Sequence, residues 1–383
     1  MYILTSEQEN FKKEIREYVN KEILPNANTL DVSEKFPRYI IEQCGTLGFL
    51  NTSFSSNIPL SKKATNTVIF LEEISRGLAS LGLILCPHFQ AISLIASHAA
   101  DSLKTNLLTP ALQGKKIFAY AISEENSGTN ALEISTTAVK DGNEWVINGK
   151  KCWITNAGVA DGYFINALTA STSKRRSISF FYVDSHTKGL IFHEKKKMTG
   201  CSNSIMGTIE LQNCRIPSEH LIGIENEGYS LMKSSLNQGR LGMAAVVTGI
   251  AQRAFELAID FSTHREFYGR KLYSHQGISF PIAEMFAQII STKNTLYHVA
   301  MLCETDKPYS VEAAALKMFA NETCNTVCRK SQEIHGAYGL LQNSEIERCF
   351  RDSCMLTVAE GTIAACKMSI SSALLNSSLD QYF

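Results

Sequence analysis

Residues 141–154, which read D-G-N-E-W-V-I-N-G-K-K-C-W-I, contain two turn dipeptides that alternate with short apolar segments. Asp141-Gly142 and Asn148-Gly149 supply the positive φ angles that tight hairpin turns need. The same pattern of short segments bounded by turns continues on both sides, and Pro217 closes it. We predict strands over residues 119–122, 137–139, 145–147, 152–154, 162–168, 178–183, 189–193 and 208–216. Many short strands without intervening helices predict an antiparallel barrel or sandwich.

The residues before this region have a helical period. Ser6 and Glu9 have the spacing of a capping box, and apolar residues then recur every three or four positions until Pro25, where we expect the first helix to end. Further helices are predicted over residues 37–47, 68–74 and 84–96. The first 116 residues therefore form a predicted helical domain.

The residues after the strands are again helical. Four helices are predicted over residues 224–262, 278–303, 311–333 and 360–375, and four helices of this length predict a bundle. The predicted domains are accordingly residues 1–116, 117–225 and 226–383. This order of helical, β and helical regions narrows the choice of fold.

The charge of the chain argues against nucleic acid as a partner. Lysine plus arginine equals aspartate plus glutamate at 37 each, whereas binding to a duplex favours a strongly basic face. Lys195, Lys196 and Lys197 form a short basic run, and a solvated loop or strand edge accounts for it better than a nucleic-acid site does.

The apolar segments and the cysteines predict a cytoplasmic protein. The start of the chain has no apolar run of the signal-peptide type, and no segment approaches ~20 uninterrupted apolar residues, so we expect no membrane partner. Eleven scattered cysteines fit reduced thiols. Cys324 and Cys328 lie one helical turn apart, which fits half a metal site or, more simply, core packing. We expect no metal.

The chain lacks the common phosphate-binding and nucleophile motifs, and five separated segments carry the chemistry instead. There is no Walker loop, no G-x-G-x-x-G between a strand and a helix, and no G-x-S-x-G elbow. The five segments are 120–130 (YAISEENSGTN), 153–156 (WITN), 265–276 (REFYGRKLYSHQ), 334–339 (IHGAYG, followed by Arg351-Asp352) and 360–362 (EGT).

Each segment alone has a plainer explanation. Trp153 could be a core indole, and Arg265 and Arg351 could be surface charges on helices. Gly361 could be a glycine at a helix start, and Glu360 an exposed carboxylate near a helix N-terminus. Only the joint, ordered pattern changes these interpretations.

Together and in this order, the five segments resemble the acyl-CoA dehydrogenase family over nearly the whole chain. W-I-T-N is intact, the family's T-E-P-x-A-G-S-D reads S-E-E-N-S-G-T-N, and its Y-E-G-T reads A-E-G-T. The resemblance implies an α+β multi-domain fold with an N-terminal helical domain, a middle antiparallel β-barrel domain and a C-terminal four-helix bundle. It also implies FAD between the β domain and the bundle, with a site completed by a neighbouring subunit of a homodimer or homotetramer.

The resemblance assigns roles residue by residue. It implies that Ser123 bonds the flavin ring edge, that Trp153 flanks the ring, and that Thr155 lies near N5. It implies that Glu360 removes the α proton of an acyl thioester while a hydride leaves the β atom for N5. Arg240 and Gly361 are the implied substrate contacts. The full implied FAD set is Tyr120, Ile122, Ser123, Thr129, Trp153, Thr155, Arg265, Tyr268, Gln276, Glu333, Gly336, Gly339 and Thr362, of which Arg265, Tyr268 and Gln276 reach the FAD of the partner subunit.

Departures from the family pattern bear on the substrate. Ala359 replaces the aromatic residue that usually precedes the base, Ala337 replaces a glycine, Ala364 replaces a polar FAD contact, and Glu333 replaces a glutamine. Residues 51–63 (NTSFSSNIPLSKK) replace the family's P-E-E-Y-G-G-x-G loop. These changes favour members that oxidise short polar acyl groups on an acyl carrier protein in polyketide or nonribosomal peptide pathways, for example towards aminomalonyl or hydroxymalonyl units.

Three alternatives stay open. One is an ordinary acyl-CoA dehydrogenase of fatty-acid or amino-acid catabolism, which passes electrons to an electron transfer flavoprotein. Another is a flavin oxidase or monooxygenase. The last is a non-catalytic paralogue.

Overall fold

A computed structural model describes residues 3–51, 63–169, 177–305 and 307–376, so most of the 51–63 segment lies outside the described residues. The first part of the chain is helical, as predicted. Its helices are α1 Ser6–Tyr18, α2 Ala27–Ser33, α3 Arg38–Thr46, α4 Ala64–Gly77, α5 Ala79–His98 and α6 Asp101–Leu112.

The start and the end of the first helix differ from the prediction. Thr5, not Ser6, is the N-cap, because its hydroxyl accepts from the Gln8 backbone N–H and the Gln8 side chain accepts from the Thr5 N–H. Both Thr5/Gln8 and Ser6/Glu9 fit the sequence motif, so the motif alone cannot fix the register. The helix widens into a π-turn over Val19–Ile23, just ahead of Pro25, because proline clashes with the carbonyl four residues before it. It then tightens into a 3-10 turn over Leu24–Asn26, which contains Pro25.

The middle part is one mixed sheet in which antiparallel pairs dominate. The strands are β1 Phe118–Ala121, β2 Thr137–Asp141, β3 Glu144–Thr155, β4 Gly162–Leu168, β5 Ile178–Asp184, β6 Leu190–Phe192, β7 Met206–Pro217 and β8 Leu221–Ile222. Along the sheet they follow the order β6-β7-β3-β2-β4-β5-β8, and β1 lies beside β4.

Two details of the sheet correct the prediction. Asp141-Gly142 does turn a hairpin between β2 and β3, but Asn148-Gly149 does not, because β3 runs through it with a register shift between Ile147 and Gly149. The two strands predicted on either side of Asn148-Gly149 are therefore one bulged strand. In addition, β1 pairs with β4 in parallel, since it enters from the helical region and no hairpin joins it to β4.

The last part contains one helix more than the predicted bundle. The helices are α7 Gly228–His264, α8 Gln276–Cys303, α9 Ser310–His335, α10 Glu345–Leu356 and α11 Ile363–Leu375, with a small hairpin of β9 Glu266–Phe267 and β10 Arg270–Lys271 before α8. The helix α10, capped by Ser344, lies in a stretch for which no helix was predicted. The last helix starts at Ile363 and not at Glu360, because Glu360 (φ 53°) and Gly361 (φ 93°) are left-handed and Thr362 is the N-cap.

Among the helices of the described ranges, two are long and apolar enough to cross a membrane, α5 and α7. In their most apolar windows 83% and 67% of the residues are buried inside the protein. Their apolar residues therefore belong to the core. The expectation for the cysteines also agrees with the structure: all eleven are free thiols, and Cys324 and Cys328 are buried with their sulfur atoms 3.9 Å apart. In the described ranges no cluster of three or more His, Cys, Asp or Glu side chains could hold a metal.

Two polar contacts dock the β region on the helices, and a third joins the first and last helical regions. Asn156 Nδ2 donates to the Ile84 carbonyl of α5 at 3.0 Å, and the Cys201 N–H donates to Asp352 Oδ1 of α10 at 2.6 Å. Arg351 donates to Asp31 Oδ2 at 2.8 Å, so it is an inter-helix contact and not a free surface charge.

Candidate active site

Glu360 lies in a tight turn between α10 and α11 that a buried lysine holds. Lys317 of α9 is fully buried, and its ammonium donates to the carbonyls of Thr357 at 2.8 Å and Gly361 at 2.6 Å. These two carbonyls flank Glu360 in the chain. The left-handed backbone at Glu360 and Gly361 reverses the direction of the chain there and turns the carboxylate towards α5 and α7.

Glu360 is half-buried, and its carboxylate packs against protein atoms rather than projecting into solvent. Its Oε2 accepts a hydrogen bond from Gln90 Nε2 of α5 at 3.1 Å. A Cβ on Gly239 of α7 would lie 2.1 Å from the same oxygen, so the carboxylate packs directly on the α7 backbone. Burial raises the pKa of Glu360 to about 7, although Gln90, Lys317 and Arg240 all act to lower it. The alternative of an exposed carboxylate near a helix N-terminus is thus wrong.

An apolar cavity of about 70 Å³ lies between α4, α5 and α7. Gln90, whose amide reaches Glu360, forms part of its wall. The rest of the wall is mainly apolar and comes from α4, α5 and α7, including Val68, Leu71, Phe89, Ile92 and Leu241. A second, polar cavity of about 210 Å³ shares Ser93 and Gln238 with it and is lined further by Ser97, His98, Ser234 and Ser235. An apolar pocket with a polar neighbour suits a ligand that is apolar at one end and polar at the other.

The two predicted substrate contacts both lie at Glu360. Arg240 is buried, donates to Ser369 Oγ at 3.3 Å, and acts on the Glu360 carboxylate by its charge. Gly361 accepts from Lys317 and precedes the cap of α11, so it is also the helix-start glycine of the plainer interpretation. Tyr120, which the resemblance assigns to FAD, stacks on Phe180 with ring centres 5.7 Å apart. Burial raises the pKa of Tyr120, and the nearby charge of Glu360 raises it further.

A second group of predicted residues lies on the β region. Trp153 is 57% exposed with a φ of 59°, in the bulge of β3, and Lys196 lies 4.8 Å from its ring centre. The core-indole interpretation of Trp153 is therefore wrong. Ser123 and Thr155 are both half-buried. The Cys152 N–H donates to the Ser123 carbonyl, which brings Ser123 next to the strand that carries Trp153 and Thr155. Within the described residues no protein atom bonds the hydroxyl of Ser123 or of Thr155.

The structure shows the surroundings of three further residues that were predicted to contact FAD. Ile122 is half-buried, and its carbonyl accepts from the buried Lys151 at 3.3 Å. Thr129 is exposed in the turn after β1. The Thr362 hydroxyl accepts from the Ala365 N–H, so its hydrogen remains available to a ligand.

A third group lies at the opposite end of the bundle. Arg265 follows Gly239 by 26 residues of almost continuous helix, which at 1.5 Å per residue is about 39 Å. Its guanidinium lies 5.8 Å from the Tyr338 ring centre, and Phe261 stacks on His335 at 4.5 Å, so the segments 265–276 and 334–339 meet. The predicted FAD residues of this group are Arg265, Tyr268, Gln276, Glu333 and Gly336, all exposed, and Gly339, which is buried.

The two glycines of this third group are needed for different structural reasons. Gly336 has a φ of 58° and open space where a Cβ would lie. A Cβ on Gly339 would lie 2.6 Å from the Gln332 carbonyl, so Gly339 is needed for packing. Glu333 pairs with Arg329 on the surface of α9.

Four residues that matter at the site have no role in the sequence prediction. Gly239 did leave a signal, since a glycine inside a helix often marks a close approach. Asn156 entered the prediction only as the last residue of the W-I-T-N motif. Gln90 and Lys317 left none, because Gln90 meets Glu360 across 270 positions of chain.

The three groups together fit FAD. Exposed Trp153 and the unbonded hydroxyls of Ser123 and Thr155 offer an aromatic face and donors for the flavin ring, and Gly336 lets a backbone be approached closely. Arg265 lies about 39 Å along α7 from Gly239, so within one chain it does not belong to the same local site as Glu360.

Comparison with known proteins identifies the family. The chain matches the models for the acyl-CoA dehydrogenase N-terminal domain over residues 5–115, the middle domain over 119–214 and the C-terminal domain over 226–375. A short-chain specific acyl-CoA dehydrogenase of Clostridium acetobutylicum is 33% identical over 370 residues, covering 96% of this chain and 98% of the relative. The chain therefore belongs to the acyl-CoA dehydrogenase family and is an FAD-dependent oxidoreductase.

Two further similarities agree with this. The CarC subunit of a caffeyl-CoA reductase-Etf complex from Acetobacterium woodii is 32% identical, with 95% of this chain and 97% of the relative covered. The structure of butyryl-CoA dehydrogenase from Megasphaera elsdenii has a TM-score of 0.93 at 27% identity, covering 98% of this chain and 100% of that chain. The predicted fold class, with helical regions on either side of a middle sheet, is thus confirmed.

Proposed function

We propose that this protein oxidises an acyl thioester, with Glu360 as the base that removes the α proton. The observation that carries the proposal is the Glu360 carboxylate itself, which is largely removed from water and bonded to Gln90, a residue in the wall of the apolar cavity. A base with a pKa of about 7 is well matched to proton transfer near neutral pH. When bound, FAD supplies the acceptor for the hydride that leaves the β carbon.

The backbone of the same turn supports the proposal. The Glu360 N–H finds no acceptor within the described residues, so it is free to donate to a thioester oxygen. Negative charge develops on that oxygen when the α proton leaves, and a fixed donor stabilises it. Lys317 holds the turn rigidly, which fixes the positions of both the N–H and the carboxylate.

The cavity supports a short apolar acyl chain carried by CoA. Its walls are mainly aliphatic and aromatic, and about 70 Å³ leaves little room for a long chain. The relatives named above include short-chain and butyryl-CoA dehydrogenases, which agrees with this assignment.

A polar acyl group on an acyl carrier protein is the second candidate, in a polyketide or nonribosomal peptide pathway. It is motivated by Ala359, Ala337 and Ala364, and by one structural observation. The Gln90 amide oxygen is buried without a partner in the described part of the chain, and it could accept from a polar acyl group.

The proposed assembly and electron acceptor also rest on the resemblance to the family. Exposed Arg265, Tyr268 and Gln276 would reach the FAD of a second subunit, so a homodimer or homotetramer is proposed. An electron transfer flavoprotein is the proposed acceptor, since one relative is named as a subunit of an Etf complex. Free thiols at all eleven cysteines suit the reducing cytoplasm.

Anaerobic flavin bleaching tests the proposal. Purified enzyme is mixed with butyryl-CoA, a polar acyl-CoA and the matched acyl-carrier-protein thioesters, and the Glu360→Gln variant serves as the control. We expect the wild type to bleach with butyryl-CoA, and Glu360→Gln to keep its flavin absorbance but lose bleaching by at least about 10³-fold, because its amide cannot accept the proton.

The other outcomes are equally definite. Normal bleaching of Glu360→Gln would remove Glu360 from its role. Bleaching only by carrier-bound thioesters would favour the second candidate. Rapid reoxidation in air with peroxide release would indicate an oxidase, and a purified protein without flavin would indicate a non-catalytic paralogue.

A further inference from the structure

The side chain of Gln90 has an unusual position for a residue in an apolar pocket. It lies on α5, 2% exposed, between the cavity and the turn that carries Glu360. Its Nε2 atom donates two hydrogen bonds, to the Ser235 carbonyl at 2.9 Å and to Glu360 Oε2 at 3.1 Å. Both amide hydrogens are thus in use, and one of them is directed at the carboxylate.

The backbone of α7 leaves a gap of matching size. A Cβ on Gly239 would lie 2.1 Å from Glu360 Oε2 and 2.3 Å from Gln90 Nε2. These distances are far below van der Waals contact, so the hydrogen bond occupies space that only glycine leaves free. The Ser235 carbonyl, which anchors the amide, lies on the same helix one turn earlier.

We infer that Gln90 is a positioning residue, which holds the Glu360 carboxylate at one orientation through the amide that α7 anchors at Ser235. This inference rests on the proposed role of Glu360 as the base and extends it to the residue that orients it. A carboxylate on a flexible side chain has several rotamers, and a fixed donor selects the one in which Oε2 lies between Gln90 and Gly239.

The hydrogen bond has an electrostatic consequence as well. It stabilises the ionised carboxylate, so it opposes the burial that raises the pKa of Glu360. The other groups that act on this carboxylate come from separate elements: Lys317 of α9 and Arg240 of α7 favour its charge, and the Cys86 thiol of α5 and Tyr120 of β1 lie close enough to feel it. Gln90 is therefore one of three groups that lower the pKa of the base.

The Gln90→Met variant tests this inference, because methionine has a similar length and no donor. Infrared difference spectra between each protein and its Glu360→Gln counterpart report the protonation of Glu360 directly, without substrate. We expect the midpoint to rise by on the order of one pH unit in Gln90→Met. In anaerobic flavin reduction by butyryl-CoA, the low-pH limb should shift upward by the same amount.

The control is Gln238→Met. Gln238 lines the same cavity from α7, and no hydrogen bond joins it to Glu360 in the described part of the chain. We expect Gln238→Met to leave the Glu360 midpoint unchanged. Gln90→Asn, which keeps a donor on a shorter side chain, should lie between the wild type and Gln90→Met.

The contrary outcomes separate this inference from the proposed function. An unchanged Glu360 midpoint in a folded, flavin-loaded Gln90→Met protein would overturn the role of Gln90 while leaving Glu360 as the base. An equal loss of rate at every pH, without a shift, would also overturn it. Wild-type protein that titrates as expected but does not oxidise any thioester would overturn the proposed function alone.

Discussion

At the scale of single residues, the site depends on a missing side chain as much as on the residues present. Gly239 lies inside α7, where glycine is unfavourable compared with alanine by about 1 kcal/mol. Its backbone contacts the carboxylate of Glu360, and any Cβ there would overlap it. Glycine at position 239 therefore makes α7 less stable, but it is the residue that lets the Glu360 carboxylate pack directly on the α7 backbone.

The Gly239→Ala variant should disable the base without removing the flavin. Its Cβ must displace either the carboxylate or the Gln90 amide, and a misplacement of about 1 Å can cost about 10²-fold in rate. We expect flavin bleaching by butyryl-CoA to slow by about that factor, while flavin absorbance is kept. Gly277→Ala on α8 is the matched control, since a Cβ there meets nothing within 4 Å. Equal rates in the two variants would contradict the close packing at Gly239.

The sequence predicts the chemistry at this scale better than the geometry around it. Glu360-Gly361-Thr362 follows the family motif closely, so the residue proposed as the base could be named from its neighbours in the chain. Gln90 could not, because its contact with Glu360 spans 270 positions and no local pattern encodes it. Trp153 lies between these two cases. The W-I-T-N motif identifies it from the sequence, but only the bulge in β3 explains why its indole is exposed.

At the scale of secondary structure, the sequence predicts most elements by period and misses those that depend on packing. The helices over α4 and α5 follow from apolar spacing. The continuous strand β3 does not, because Asn148-Gly149 has the composition of a turn and the pairing with β7 extends β3 through it. The helix α10 begins at its Ser344 cap and packs one face into the core, and no motif predicted it.

One buried histidine joins three elements. His88 of α5 is fully buried, accepts from the Phe118 N–H of β1 at 3.2 Å through Nδ1, and lies 3.3 Å from the Ala111 carbonyl of α6 through Nε2. Burial lowers the pKa of His88 to about 4, so the ring is neutral near pH 7. It then donates from Nε2 and accepts at Nδ1.

The His88→Phe variant should lower the free energy of unfolding by about 2–4 kcal/mol at pH 7, because a buried N–H and a buried carbonyl lose their partner. Between pH 6.5 and 4 the unfolded chain binds a proton at His88 and the folded chain does not. The wild type should therefore lose up to about 3 kcal/mol on acidification that His88→Phe does not lose.

Denaturant titrations at pH 7 and pH 5 check both parts. His186→Phe is the control, because the His186 side chain is 92% exposed and its loss should leave the stability nearly unchanged. An identical pH dependence in the wild type and His88→Phe would contradict the burial of a neutral ring.

At the scale of the whole molecule, the two ends of α7 carry different groups of predicted site residues, which one chain does not bring together. Glu360 lies beside Gly239 near one end of α7, and Arg265 follows the other end, about 39 Å along the helix. The exposed residues at the Arg265 end include three large aromatic side chains: Tyr268 is 84% exposed, and Phe267 and Phe280 are more than half exposed. Exposed aromatic residues next to a charged side chain are typical of a protein interface.

The Phe280→Glu variant tests this assembly. Phe280 lies one helical turn after Gln276 on α8, so a charge there would be buried in the proposed interface of a homodimer or homotetramer. We expect light scattering after size exclusion to give a multiple of 42.4 kDa for the wild type and a mass near 42.4 kDa for Phe280→Glu. The variant should also release its flavin on dilution, because Arg265, Tyr268 and Gln276 would no longer reach the partner's FAD. Val139→Glu, an exposed site on β2, should keep the wild-type mass and flavin, whereas a flavin-loaded wild-type monomer would show that one chain completes the site.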